Sequence, residues 1–223
     1  MRWQDKGYLL SLNKYNENSV IAEFFTKSNG KISGIIFGAT SNKVKNYLFK
    51  GNKFHINFNF KQDTKLGYFK VEIDEVNTPK FLNNKKKLFC IIYTMNIIKI
   101  LTVENQENQN IYTLLKNFFV ILDNDNWLTN FIFWELNFYK SIGYDIDFKN
   151  YVKNVTIEGE KKFIVESTNK IIPNFLINND IFPNDEKDII IAFNIIGDFL
   201  DKTILRPNNI SFPISRNEFG KLI

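Results

Sequence analysis

Short runs of alternating apolar and polar residues recur through the first 76 residues, and they limit the fold more than any other feature. The clearest run, residues 53–61, places four apolar side chains on one face of an extended strand: Phe54, Ile56, Phe58 and Phe60. Strand-like runs also occupy residues 8–12, 20–26, 31–38 and 67–74. Five short strands in fewer than 80 residues predict a small β-barrel.

The connections between these runs indicate the type of barrel. Ser28-Asn29-Gly30 is a strong turn signal between the second and third runs, and the glycines of residues 31–38 suit a sharply bent barrel strand. The connection between the third and fourth runs is longer than the others. This pattern fits an OB-type barrel, and an SH3-like barrel would give a similar pattern.

After Thr78-Pro79 the apolar spacing becomes helical. Helices are predicted over residues 84–101, 110–122, 127–142 and 184–205, with Asp125 or Asn126 as an N-cap and Gly143 as a terminator. The polar stretch 145–172 looks strand-like. The predicted fold is therefore α+β: an OB-fold domain at residues 1–78, then a mostly helical domain at residues 79–223 with a strand-like insertion.

The positive charge is concentrated at the N-terminal end of the chain. Residues 1–80 hold 13 Lys and Arg against seven Asp and Glu, whereas residues 81–223 hold 16 against 17. A charge imbalance confined to one part of a chain indicates a polyanionic partner for that part. We therefore expect the barrel to bind nucleic acid and the helical part to bind proteins.

The stretch from Phe24 to Gln62 contains no acidic residue. It holds the seven predicted DNA-binding residues: Lys27, Lys31, Lys43, Lys45, Lys50, Lys53 and Lys61. Lysines neutralise phosphates, and aromatic side chains such as the interleaved Tyr47, Phe49 and Phe54 can stack on exposed bases. The alternative is a solvated basic loop in a lysine-rich chain.

The residues that could support catalysis fit structural roles better, so we predict that the protein is not an enzyme and has no catalytic residues. His55 should point outward and Cys90 should be a buried apolar residue. With one cysteine and one histidine, neither a disulfide nor a Cys/His zinc site can form within the chain. Asp145 and Asp147 would share the face of a solvated strand edge.

Two further features of the sequence concern the helical core and the cellular location of the protein. Trp127 and Trp134 are seven residues apart on one predicted helix, and this spacing favours a shared core face. No run of 18 uncharged apolar residues occurs, and the first residues lack the apolar core of a signal peptide. These features predict a cytoplasmic protein.

Several segments resemble the bacterial RecO family of recombination mediators, and they occur in that family's order. No one of them is diagnostic, so the ordered series carries the resemblance. The segments are Trp3–Leu10, Asn16–Lys31, Gly34–Ala39, Phe133–Asp147 and Phe199–Arg216.

The resemblance implies a role in DNA repair and recombination. RecO proteins anneal complementary strands and help load recombinase onto single-stranded DNA coated by single-strand-binding protein. The implied partners are single-stranded DNA, with double-stranded DNA as a further candidate, RecR and the acidic C-terminal tail of single-strand-binding protein. An RNA-binding OB protein and a protein-interaction scaffold are the alternatives.

The resemblance also raises a question about zinc and one about the protein-binding surface. Many RecO proteins carry a zinc-binding cysteine cluster, but residues 151–167 contain no Cys or His, so no metal or other cofactor is expected. The tail of single-strand-binding protein is expected to dock in an apolar groove beside a cation. Lys85–Lys87, Lys99 or Arg206 could each border that groove.

Overall fold

The computed structural model describes residues 1–60, 66–157, 160–165, 170–178, 183 and 185–223. The strands are β1 (Arg2–Lys14), β2 (Ser19–Thr26), β3 (Gly30–Phe37), β4 (Lys53–Asn59), β5 (Gly67–Glu75), β6 (Val152–Ile157), β7 (Glu160–Val165) and β8 (Ile171–Ile172). The helices are α1 (Asn42–Lys45), α2 (Lys85–Leu101), α3 (Gln109–Leu122), α4 (Trp127–Ser141), α5 (Asn174–Ile177), α6 (Glu186–Phe199) and α7 (Ile214–Gly220).

The first five strands form a closed barrel. They pair in the order β1-β2-β3-β5-β4, and β4 pairs back onto β1. All ladders are antiparallel except the one between β3 and β5. The interior is aromatic, with Phe24, Phe54 and Phe69 in edge-to-face contact around a fully buried Leu9. The predicted OB-type barrel followed by a mostly helical region is confirmed.

The ladder between β3 and β5 is short, and a segment after α2 covers the rest of the β3 edge. Only Gly34 to Ile36 of β3 pair with β5. Upstream, Lys31 forms a parallel bridge with Glu104, and the Asn105 amide donates to the Lys31 carbonyl at 2.9 Å. The Ser33 hydroxyl donates to the Glu104 carboxylate at 2.6 Å. The first half of β3 is therefore paired with the chain that leaves α2.

The chain divides into two compact units. The first comprises Met1–Lys116 and Pro213–Leu222, and the second comprises Asn117–Phe212 with Ile223. In the first unit, α7 packs on α2: Arg216 is buried and donates to the Tyr93 hydroxyl at 2.6 Å. These units are defined by packing, and the boundary after residue 78 stays a prediction.

The second unit has an aromatic core and a small sheet. Trp134 of α4 stacks on Phe131 and Phe138 and contacts Phe118, and both Trp134 and Trp127 are buried as predicted. The sheet has the order β6-β7-β8. It begins at Val152 rather than at Asp145, so the predicted strand-like stretch starts too early; its residues 158–159 and 166–169 lie outside the described part of the chain.

The helix ends follow local signals in the sequence. The Asn84 side chain accepts from the Lys87 amide at the start of α2, and Asp185 accepts from the Asp188 amide at the start of α6. Gly143 follows α4 with a φ of +97°, the conformation expected of a glycine terminator. α6 continues through a π-helical stretch, Leu200–Leu205, to the turn at Arg206–Asn208.

Candidate nucleic-acid interface

The connection between β3 and β4 presents two lysines of one helical turn to solvent. It folds into the single turn of α1, in which the Val44 and Lys45 amides donate to the Ser41 carbonyl. Val44 packs against the barrel core, whereas Lys43 and Lys45 on either side of it are exposed. Neither lysine forms an ion pair within the described residues. The core contact of one residue thus orients two cations outward.

A buried asparagine fixes the second half of this connection. Asn52 is fully buried, and its side-chain oxygen accepts from the Asn77 and Thr78 amides at 2.9 and 3.1 Å. Its side-chain nitrogen donates to the Tyr47 carbonyl at 2.8 Å. Because a buried amide with all its groups bonded resists displacement, the loop that carries α1 is held at its base. In a chain with many asparagines, sequence reasoning gave this residue no weight.

Lys31 contributes to packing rather than to the exposed surface. Its amine donates to the Lys99 carbonyl in the last turn of α2 at 2.8 Å, where a cation is favoured by the helix dipole. Burial lowers the pKa of Lys31 from its usual value, although Glu23 and Glu104 oppose the shift.

Lys53 is also occupied within the barrel. It is buried, and its amine pairs with Glu75 at 2.6 Å and with Asp74 at 3.2 Å. Burial acts to lower the pKa of Lys53, but the hydrogen bonds to these two carboxylates raise it above its usual value. Two carboxylates already neutralise this ammonium, so it has little capacity for a phosphate.

The other predicted lysines differ in exposure. Lys50 is half-buried, and burial together with the charge of Lys99 lowers its pKa. Lys27 is exposed on the turn between β2 and β3. Lys61 lies outside the described residues. Among the six of these lysines that the structure describes, the exposed ones are therefore Lys27, Lys43 and Lys45, and the last two both lie on α1.

Of the three aromatic residues predicted to stack on bases, one is excluded by its burial. Phe54 has no exposed surface because it points into the barrel against Phe24. Tyr47 and Phe49 are half-buried, and Tyr47 packs against Phe54 at 6.1 Å between ring centroids. The prediction for Phe54 was wrong, because its own strand alternation already placed it with the core residues.

A different pair of aromatic residues, one exposed and one half-buried, lies on the outer face of the barrel. Phe37, at the end of β3, is 58% exposed, and its ring centroid lies 6.0 Å from that of Tyr68 on β5. Sequence reasoning missed this pair. A signal was present for Phe37, since alternation in β3 places it on the face opposite the buried Ile32 and Ile36.

A shallow groove of about 420 Å³ crosses the outer face of β1, β4 and β5. Its lining contains two cations and no acidic residue: Arg2, Trp3, Gln4, Asn57, Phe58, Asn59 and Lys70. Trp3 stacks on Phe58 with centroids 4.8 Å apart, which gives the groove a firm floor. Neither Arg2 nor Lys70 was among the predicted site residues.

Comparisons with known proteins agree across the length of the chain. Residues 1–75 match the family model "Recombination protein O N terminal", and residues 83–187 match "Recombination protein O C terminal". The chain belongs to the RecO family. Proteins of this family act in DNA repair and recombination, and RecO proteins are generally mediators rather than enzymes.

Individual RecO proteins show the same full-length similarity. The chain is 26% identical to the DNA repair protein RecO of Ehrlichia chaffeensis, over 100% of this chain and 98% of that protein. It is 24% identical to its counterpart in a Wolbachia strain of Drosophila simulans, over 97% and 98% of the two chains. The counterpart in Bartonella tribocorum is 23% identical over 100% of this chain and 95% of its own length.

The residues considered for catalysis or metal binding in this RecO chain take structural positions. His55 is exposed and bonds Asp74 at 2.8 Å, and Cys90 is fully buried. Asp145 pairs with Lys140, and Asp147 caps the turn at Phe148–Tyr151, so they do not form the predicted strand edge. Within the described residues, no group of three His, Cys, Asp or Glu side chains could hold a metal ion. None of the described helices is long and apolar enough to cross a membrane.

Proposed function

We propose that this protein is a recombination mediator that works without catalysis: it binds single-stranded DNA through its barrel, anneals complementary strands and helps load recombinase onto strands coated by single-strand-binding protein. The observation that carries the proposal is that Lys43 and Lys45 are both exposed on the single turn of α1, within a stretch that has no acidic residue. Lysines at such a position attract phosphates and release counterions. Membership of the RecO family supports the same role.

Strand annealing needs no covalent chemistry, only the attraction between lysines and DNA phosphates. Two single strands repel each other through their phosphates, and cations that bind both strands lower this repulsion while leaving the bases free to pair. Lys43 and Lys45 would bind backbone phosphates, with Lys27 and Lys50 as further candidates. Lys31 and Lys53 would support the barrel instead, since both amines already have partners.

The test is fluorescence anisotropy with a labelled single-stranded oligonucleotide across a salt series. We expect binding that weakens as salt rises, and we expect Lys43→Glu with Lys45→Glu to lower the affinity by at least about tenfold. The matched control is Lys149→Glu with Lys153→Glu, which makes the same charge change at two exposed lysines of the second unit. No binding at about 50 mM salt would contradict the proposal, as would an equal loss in both double variants.

Annealing and recombinase loading need their own measurements. The protein should accelerate duplex formation between complementary labelled strands, and the Lys43→Glu, Lys45→Glu variant should not. In a second assay, single-stranded DNA coated by single-strand-binding protein should load recombinase faster when this protein and RecR are present. Equal affinity for matched RNA, with no annealing of DNA strands, would favour an RNA-binding OB protein instead.

An apolar groove in the second unit suits the proposed protein partner, the acidic tail of single-strand-binding protein. The groove, about 410 Å³, is lined by Ile171, Ile191 and Ile195 together with Asn194, and by Lys170 and Asp198, which pair with each other at 3.1 Å. Of the cations first considered for this role, Lys99 pairs with Glu23 and Arg206 with Asp201, both at 2.6 Å. Ile191→Asp should weaken capture of a peptide with the tail sequence, whereas Val120→Asp, another exposed apolar position, should not.

A further inference from the structure

One part of the barrel's outer face is covered by α2, and another part is exposed to solvent. Around Ser11, Glu23 and Lys31 the face is covered by the end of α2: Lys99 pairs with Glu23 at 2.6 Å and contacts Ser11 at 3.4 Å, and its carbonyl accepts from Lys31. Further along the same strands nothing in the described chain covers Phe37. The polar contacts at α2 thus leave a separate, uncovered surface.

This uncovered surface is a continuous row of apolar and aromatic side chains. The strand registers place Ile21 opposite Ile35, and Ile35 opposite Tyr68. Phe37 is two residues beyond Ile35 on the same face and contacts Tyr68. Isolated exposed apolar residues are common on protein surfaces, but a row that ends in an exposed phenylalanine ring beside a half-buried tyrosine is typical of a binding surface.

The basic groove adjoins this row directly. Asn59 of β4 is opposite Tyr68 on one side and opposite Arg2 on the other. Lys70 follows Tyr68 by two residues on the same face of β5 and lines the groove with Arg2. Both cations are exposed and form no ion pair within the described residues. The acidic residue Glu72 comes next on that strand face and lies outside the groove lining.

We propose that Phe37 and Tyr68 form a base-stacking platform, and that the groove between Arg2 and Lys70 holds the phosphates of the same single strand. This inference rests on the proposed function and names a second contact surface for it. Ring faces, side-chain amides and cations without an acid among them match the bases, base edges and phosphates of a single strand. A duplex cannot use such a platform, because its bases are stacked on each other.

With this platform, the barrel would contact DNA through two surfaces that recognise different parts of it. The lysines of α1 bind phosphates, which single strands and duplexes both carry, so they do not distinguish the two forms. The platform contacts bases and therefore favours single strands. Its removal should leave the salt dependence of binding unchanged, because that dependence reflects neutralised phosphates and not stacked bases.

The test uses Phe37→Ala in the full chain, with Tyr151→Ala as the matched control, since Tyr151 is an exposed aromatic residue of the second unit. Phe37→Ala should lower affinity for a labelled single strand by on the order of tenfold, within the range measured for stacking of one base. Affinity for the duplex and the slope of log affinity against log salt should stay at the wild-type values. Phe37→Trp should restore single-strand affinity and show quenched tryptophan fluorescence on binding.

Binding to a strand that lacks bases distinguishes the loss of base stacking from a general effect of the substitution on folding. Wild-type protein should bind an abasic strand more weakly than the normal strand, and in Phe37→Ala the difference between the two strands should be several-fold smaller, because only Tyr68 of the platform remains. Wild-type affinity in Phe37→Ala, or an equal loss for single strands and duplex, would overturn the platform while leaving binding through α1 in place. If the wild-type chain bound no single strand at all, the proposed function itself would fail.

Discussion

At the residue scale, Asp74 is a barrel carboxylate with three basic side chains around it. Lys6, Lys53 and His55 approach its oxygens at 3.1, 3.2 and 2.8 Å. Burial acts to raise the pKa of Asp74, but the hydrogen bonds from Lys6 and Lys53 outweigh it and lower the pKa below its usual value. A carboxyl group with a lowered pKa in the folded protein stabilises the fold above its unfolded pKa, and this contribution is lost as the pH falls through the folded value.

We therefore expect Asp74→Asn to lower the free energy of unfolding by about 1–3 kcal/mol at pH 7. The difference from wild type should shrink below about pH 4, because the wild-type carboxyl then becomes protonated as well. Urea unfolding of both proteins at several pH values measures this difference in the free energy of unfolding. Glu72→Gln, an exposed residue of the same strand face, should have little effect at any pH. A difference for Asp74→Asn that does not change with pH would contradict this account.

Two glycines with nearly the same backbone angle φ should differ in how much an alanine substitution destabilises the fold. Gly30 and Gly38 have φ values of +65° and +68°. A Cβ on Gly30 would lie 1.8 Å from the Gln106 backbone oxygen, whereas a Cβ on Gly38 would meet no atom within 4 Å. Gly38→Ala should cost about 1 kcal/mol for the backbone angle. Gly30→Ala should cost about 2 kcal/mol or more beyond that, because the segment after α2 must move. Equal urea midpoints for the two variants would refute this difference.

The sequence alone could not show which lysines are exposed and which are paired within the fold. Charge counting found the acid-free stretch that contains Lys43 and Lys45, but it treated Lys31 and Lys53 in the same way. The carboxylates that occupy Lys53 are 21 and 22 residues away along the chain, and the carbonyl that occupies Lys31 is 68 residues away. Only the tertiary fold brings these groups together. By contrast, strand alternation could have separated the buried Phe54 from the exposed Phe37.

At the level of secondary structure elements, α1 carries two exposed lysines in its single turn. Replacing Lys43 and Lys45 with Gln should lower the slope of log affinity against log salt by about 1.4 for single-stranded DNA, because each phosphate that is no longer neutralised accounts for about 0.7. Neutral glutamine avoids the added repulsion of glutamate, so the change in slope reports how many phosphates these two lysines bind. Lys149→Gln with Lys153→Gln is the control. An unchanged slope would mean that α1 binds no phosphate.

Elements with a strong periodic pattern were predictable, and those defined by a distant partner were not. The five barrel strands and the helices α2, α3, α4 and α6 agree with the predicted runs within a few residues, except that β1 begins six residues before the predicted run. The helix α7 was missed. It has only seven residues, and one of them, Arg216, is buried because Tyr93 of α2 bonds its guanidinium group. An arginine is normally a surface residue, so the sequence pattern concealed the buried side of this helix.

On the scale of the whole molecule, the last residues of the chain stabilise the first unit. Phe219 of α7 is fully buried and stacks near Tyr93, with centroids 6.4 Å apart. Phe219→Ala should lower the free energy of unfolding of that unit by about 3–5 kcal/mol. Hydrogen exchange should show faster exchange in α2, with α4 much less affected. Ile214→Ala, at a residue of the same helix that is 76% exposed, should change little. Equal protection of α2 in wild type and Phe219→Ala would contradict this role.

The return of residues 213–222 to the first unit has a consequence for how the protein is made. A ribosome releases the barrel and α2 first, but the helix that covers Tyr93 follows only after the 96 residues from Asn117 to Phe212. At about 5–20 residues per second, this is a delay of roughly 5–20 s. For that interval the nascent chain carries an uncovered apolar surface on α2. This surface is therefore open to chaperones and proteases until residues 213–222 emerge.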